Sequence, residues 1–184
     1  MLETTLVTLL FSVGVPLHTE GQEKYDLEVS GGSTLVGIGN LVSGHGIGWV
    51  IGGGWHLTPW LTVGAEIDRS LHSQPLDGLN LDAKLLATLA GIHVTTPTGS
   101  IRPLAQIFTG QTQISLNAQS DFPIRSTADF FERHGVIQIG GGVDVSFHDR
   151  ISARVTLSYR RIFSPRVLWQ RRFTTAAVYR FRAR

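Results

Sequence analysis

The groups able to do chemistry in this 184-residue chain are sixteen Lys and Arg, fourteen Asp and Glu, and seven His, with no Cys. Asp26, Glu28, Glu66, Asp68, Asp82, Lys84, Asp144, Arg154, Arg160, Arg172 and Arg180 share one setting. Each stands on the polar parity of a tract whose alternate positions are apolar. A guanidinium offers a planar fork to a carboxylate, so such a set suits charge pairing across a common surface more than proton transfer. The histidines His18, His45, His56, His72, His93, His134 and His148 show neither HxH nor HExxH spacing. Ser158 has no adjacent His, and His45, Asp68 and Ser70 would converge only by accident of register. Gly52-Gly53-Gly54 and Gly140-Gly141-Gly142 lack phosphate-loop spacing and read as small residues relieving crowding. Without cysteine there is no disulfide, thiolate ligand or thiol nucleophile.

The elements that must position these charges are strands. Successive side chains of a strand point to opposite faces, so an apolar/polar alternation gives one apolar wall and one polar wall. In the last fifty residues Ile137, Ile139, Gly141, Val143, Val145 and Phe147 oppose Val136, Gln138, Gly140, Gly142, Asp144 and Ser146. After a turn at 148–150, Ile151, Ala153, Val155, Leu157 and Tyr159 oppose Ser152, Arg154, Thr156, Ser158 and Arg160. A final run sets Trp169, Phe173, Ala177, Tyr179 and Phe181 against Gln170, Arg172, Thr174, Ala176 and Arg180. Earlier runs repeat the pattern. Leu27 and Val29 oppose Asp26, Glu28 and Ser30; Ile47, Trp49, Ile51 and Trp55 face one way; Leu61, Val63, Ala65 and Ile67 oppose Thr62, Glu66 and Asp68.

Two runs are harder to face. In 79–94, Leu81, Ala83, Leu85, Ala87 and Leu89 are assigned to the apolar wall against Asp82, Lys84 and Thr88, with an amphipathic helix as the alternative. In 101–114, Leu104, Ile107 and Phe108 do not share a parity, so the facing stays open. A polar loop is expected around Ser73-Gln74-Pro75, and the longest loop over 115–134, where the period breaks. Short turns are expected at 57–60, 95–100 and 148–150.

Hydrophobic residues make up 42% of the chain and charged residues only 16%, below the usual quarter of a soluble domain. No apolar run reaches the roughly 18 residues of a membrane-spanning helix. The apolar residues are abundant but interleaved, as a barrel with lipid outside and polar groups inside requires. Arginine is concentrated after residue 134, yet it sits within strand alternation and no nucleic-acid module is visible, so no nucleic-acid partner is expected.

The closing AAVYRF resembles the last strand of a bacterial outer-membrane barrel, GGGVDVSFHDRISARVTLSYRRIF resembles the two strands before it, and GWHLTPWLTVGAE resembles an inner hairpin. Together they are similar to the small OmpA-like or opacity-type porin family. The resemblance implies an all-β, eight-stranded antiparallel up-and-down transmembrane barrel over 25–181, located in the outer membrane. Residues 1–24, with an apolar run from Leu6 to Leu17, are expected as a signal-like or disordered segment, and 182–184 as a basic tail. Short turns alternating with longer connections would put both termini on the periplasmic side. Trp55, Trp60, Phe147, Tyr179 and Phe181 would lie at that interface, and Tyr159, Phe163 and Trp169 at the outer one.

The expected function is structural or surface-interacting and non-enzymatic, without cofactor. The charged residues named first would form a network that plugs the lumen. The expected partners are outer-membrane lipid and an unknown surface partner at the outer loops, with the protein itself a monomer. Arg161, Arg166 and Arg171 form a candidate rim for lipopolysaccharide phosphates. His45, His72 and His134 would lie on the outer side, as a metal trio or as solvated side chains. Two other readings stay open: a lipid-modifying enzyme with a lipid-facing Ser, His and acid, and a soluble lipocalin-type barrel with an apolar interior.

Overall fold

The computed structural model describes residues 27–38, 45–76, 79–120, 130–164 and 168–181, with side chains for all of these except 38, 45, 73–76, 79–82, 116–120 and 130–131. The expectations for 1–24, Asp26, Arg166 and 182–184 lie outside these residues. Eight strands follow in order: β1 (Leu27–Ile38), β2 (His45–His56), β3 (Leu61–Leu76), β4 (Leu79–Thr95), β5 (Ile101–Ser120), β6 (Phe130–His148), β7 (Ile151–Phe163) and β8 (Leu168–Phe181). Each pairs antiparallel with its neighbour in sequence, and β8 returns to β1, so the sheet closes as an up-and-down barrel. Closure removes the open edges that make an exposed sheet prone to pair with other chains.

The alternation decides the two walls. Outside stand Leu27, Val29, Leu35, Ile47, Ile51, Val63, Ile67, Ile107, Ile139, Leu157 and Phe173, all exposed. Inside stand Glu28, Thr34, Asp68, Gln138, Asp144, Arg160, Arg172 and Arg180, all buried. A soluble barrel of lipocalin type needs the reverse polarity, and this wall excludes it. The apolar wall runs from Ile151 to Tyr159 on β7 and from Phe173 to Phe181 on β8. That is about nine residues per strand, the span of a tilted strand crossing a bilayer core.

The turns at 57–60, 96–100 and 149–150 are short. Among the described glycines Gly99 alone has a positive φ, +100°, in the connection from β4 to β5. Several inward glycines are forced by neighbouring backbone. A Cβ on Gly48, Gly91, Gly110 or Gly142 would strike the carbonyl oxygen of Arg69, Ile107, Thr88 or Val155 respectively.

Two expectations are corrected, and one open facing is decided. Residues 79–95 are a strand, not a helix, but its facing is opposite to that assigned: Leu85, Ala87 and Leu89 point inward, while Leu86, Thr88 and Ile92 point outward. With leucine on both parities, the alternation of β4 does not report its inner face. Its inward residues join Phe108, Val136 and Ile162 in an apolar cluster inside the barrel. Second, β3 runs on through 73–75, where a loop was expected, and β5 and β6 cover most of 115–134. These stretches lie beyond the apolar wall, where no lipid demands alternation. The open facing of β5 resolves as Leu104 and Phe108 inward with Ile107 outward.

Candidate functional site: charged layers across the barrel interior

The short-turn end of the interior receives one side chain from every strand. They are Glu28 (β1), His56 (β2), Thr62 (β3), His93 (β4), Arg102 (β5), Asp144 (β6), Arg154 (β7) and Arg180 (β8). Arg154 lies at the centre. Its Nε and Nη2 donate to Asp144 at 2.7 and 3.0 Å, and its Nη1 and Nη2 donate to Glu28 at 2.9 and 3.3 Å. Arg180 Nη2 donates to Asp144 Oδ2 at 3.0 Å, and Arg102 Nη2 lies 3.8 Å from the same oxygen. The imidazoles also approach Glu28, His56 Nε2 at 3.3 Å and His93 Nε2 at 3.5 Å. His56 Nδ1 is 2.9 Å from Thr62 Oγ1. If the hydroxyl donates there, the imidazole proton is left on Nε2, facing the carboxylate.

A second layer lies further towards the long-loop end. Arg160 forms a bidentate pair with Asp68, at 3.1 and 2.5 Å, and its Nε donates to Gln138 Oε1 at 3.0 Å. Arg172 donates to Glu66 Oε1 at 2.5 Å, to Gln138 Oε1 at 3.2 Å and to Thr34 Oγ1 at 3.1 Å. Asp68, Arg160 and Arg172 are each 1% exposed, so water screens little of this attraction. Between the layers is a cavity of about 40 Å³, bordered by Glu28, Glu66, His93, Gln106, Arg154 and Thr156 among others. A polar cavity of this size has room for a water or two.

The expected charge set therefore divides. Glu28, Glu66, Asp68, Asp144, Arg154, Arg160, Arg172 and Arg180 come together inside. Lys84 does not belong with them, because the even positions of β4 point outward. Position 82 shares that register, and the Asp82 side chain lies outside the described ones. Sequence reasoning missed Arg102, His56 and His93. Each stands within a few residues of a short turn, at a parity that the closed barrel turns inward.

Of the histidine trio, the His45 side chain lies outside the described ones, and the other two are engaged separately. His72 lies inside, with Nε2 3.1 Å from Val36 O, and His134 Nε2 is 2.9 Å from Glu132 Oε2. The described residues contain no group of three or more potential ligands for a metal ion. Ser158 and Ser70 are buried in the interior, away from the outer wall that a lipid-facing nucleophile would need. Asp68 is engaged by Arg160.

The outer wall carries its own cations. Arg161 and Arg171 point outward, and the Arg161 guanidinium lies 5.1 Å from the Phe163 ring centroid and 5.5 Å from that of Trp169. Arg69, Lys84 and Arg133 also point outward, on β3, β4 and β6, towards the long-loop end.

No family model matches the chain, and no curated protein matches it by sequence. Solved structures do match. Neisserial surface protein A is 14% identical, with a TM-score of 0.68 over 88% of this chain and 100% of that one. Ail, the attachment invasion locus protein of Yersinia pestis, is 11% identical with a TM-score of 0.63, over 86% and 99%. A second Ail structure, in complex with the heparin analogue sucrose octasulfate, gives 0.62 at 12% identity over 86% and 99%. The outer membrane protein OprG of Pseudomonas aeruginosa gives 0.59 at 11% identity over 89% and 99%. The closed antiparallel sheet, its polarity and these likenesses agree: the chain has the OmpA-like fold of the small eight-stranded outer-membrane β-barrels.

Proposed function

We propose that the protein is an integral outer-membrane barrel of structural or surface-interacting type, monomeric and non-enzymatic, whose lumen is plugged by its own side chains. The observation that carries this reading is the pairing of Arg154, Arg160, Arg172 and Arg180 with Glu28, Glu66, Asp68 and Asp144 across the interior. An eight-stranded barrel is just wide enough for side chains to fill it. Opening it would leave charges unpaired in a low-dielectric space, which is costly. Planar-bilayer recording near neutral pH tests the plug. Only rare, small events are expected; a large, steady conductance would overturn it.

The lipid-facing side supports a second element of the reading: Arg161 and Arg171 bind lipopolysaccharide phosphate at the outer rim. The aromatic contacts of Arg161 hold its guanidinium against the wall, where an outer-leaflet phosphate lies within reach, and Arg69, Lys84 and Arg133 extend the same basic band. Arg161→Glu with Arg171→Glu is expected to lower lipopolysaccharide co-purification several-fold, the loss of two charge-assisted contacts. An unchanged yield of bound lipopolysaccharide would sink this element and leave the plug standing. Surface partners would be met at the long-loop end. Ail, of similar fold, has been crystallised with a sulfated ligand, which makes polyanions the first class to screen.

A further inference from the structure

We propose that the Glu28 layer is a proton-operated latch, in which charging His56 and His93 loosens the short-turn half of the lumen and admits water to the cavity above it. The proposal rests on the reading of the lumen as closed.

Glu28 is contested. Arg154 holds both of its oxygens, while His56 and His93 approach one oxygen each at 3.3 and 3.5 Å. Arg180 Nε stands 3.8 Å from the oxygen that His56 faces. Asp144 is shared in the same way by Arg102, Arg154 and Arg180. Glu66 faces the layer from β3 across the cavity. With neutral imidazoles, the described charges of the layer are two carboxylates and three guanidiniums. With both imidazoles charged, five cations surround the same two carboxylates.

The side chains are almost dry, so like charges repel far more strongly than they would in water. The imidazoles are the neutral bases of the layer, and among three guanidiniums they take up protons only on acidification. Protonated His56 and His93 would compete for Glu28 at the expense of Arg154, which still has Asp144 to hold. The exchange therefore breaks the bridge from β1 to β7 without stranding either partner. Among the described residues the ion pairs of the second layer include no imidazole, and His72 nearby is engaged with Val36 O. Those pairs, Arg160 with Asp68 and Arg172 with Glu66, stay formed, so the latch opens one half of the lumen and makes no through-pore.

The glycine lining gives the opened half room. Gly52, Gly53 and Gly64 border the cavity and bring no side chain into it. Water entering from the short-turn end would find Ser30, Gln106, Thr156 and Thr174 already facing the space.

The chain has no cysteine, so one introduced thiol reports on the cavity alone. Ser30→Cys is the mildest choice, because it replaces one cavity-lining oxygen by sulfur. The experiment follows labelling of Ser30→Cys by a water-soluble thiol reagent, in the refolded barrel, at about pH 7.5 and about pH 4. The same measurement is made with His56→Gln and His93→Gln added. Comparing the two backgrounds at each pH cancels the intrinsic pH dependence of the thiol. The latch gives similar rates at the higher pH and labelling at least about tenfold faster in the His background at the lower one, a decade in the closed–open equilibrium.

Equal rates in both backgrounds at both pH values overturn the latch. A boiling-dependent gel shift establishes that each variant is folded. Should the double variant fail to fold, His93→Gln alone takes its place, and the difference at low pH is then expected to be smaller but of the same sign. Bilayer recording of the parent protein at both pH values separates the two readings. Steady conductance already at the higher pH defeats the plug. Quiet traces at both, with rates equal between backgrounds, defeat only the latch.

Discussion

Arg160 and Asp68 show what a single residue contributes in this interior. Both are 1% exposed and bound bidentately, so removing one partner leaves a buried charge that water cannot reach. Arg160→Met is expected to cost about 3–5 kcal/mol of unfolding free energy, read from urea unfolding of the barrel in lipid vesicles. Ser158 is the contrasting case. Its hydroxyl is buried with no hydrogen-bond partner among the described residues, so Ser158→Ala removes a desolvation penalty and no contact. Stability is expected to stay within about 1 kcal/mol of the parent or to rise. A loss beyond about 2 kcal/mol in the same titration would mean that the hydroxyl is satisfied. The parity of Glu28, Asp144, Arg154 and Arg180 was legible in the sequence. Their partners were not: Glu28 and Arg154 are 126 positions apart, and only closure of β8 onto β1 brings them into reach.

At the scale of the strand, glycine marks where neighbouring strands press closest. On Gly142 a Cβ would meet the backbone of Val155 and Thr156, which cannot swing aside as a side chain can. Gly142→Ala is therefore expected to destabilise the barrel by about 1–3 kcal/mol, or to lower the folded fraction on the boiling-shift gel. Gly31→Ala is expected to be neutral or to stabilise by about 0.5–1 kcal/mol, since a Cβ there meets nothing within 4 Å and alanine restricts the unfolded chain. If the two variants behave alike, close strand contact is not what keeps Gly142. Strand β4 marks the limit of reading by period. Leu86 on its outer parity and Leu85 on its inner parity are both leucine, because the interior beside β4 is itself apolar. The extensions of β3, β5 and β6 escaped for a related reason: a strand that clears the bilayer loses the pressure that writes the alternation.

For the molecule as a whole, the outer wall tests the membrane reading. Val155 stands on the outward parity of β7, at the middle of the apolar stretch from Ile151 to Tyr159. Val155→Arg is expected to cost about 2–4 kcal/mol in bilayers, the penalty of a cation near the midplane. The same arginine at the wall's edge, as at Tyr159→Arg, is expected to cost less. Equal costs in paired unfolding titrations would place the bilayer elsewhere on this wall. The parent barrel is also expected to migrate faster unboiled than boiled, as a closed ladder that detergent does not open.

By itself the sequence determined the strands, short turns at 57–60, 95–100 and 148–150 to within a residue, and which wall is apolar on at least part of six of the eight strands. Each of these is written locally, in a period of two and in turn residues that interrupt it. Only the tertiary structure decided the facing of β4 and β5, the gathering of Arg102, His56 and His93 at one level, and which arginine holds which carboxylate. Those outcomes depend on closure, which fixes shear and tilt together and so sets which distant positions share a level inside the barrel. No local pattern records that.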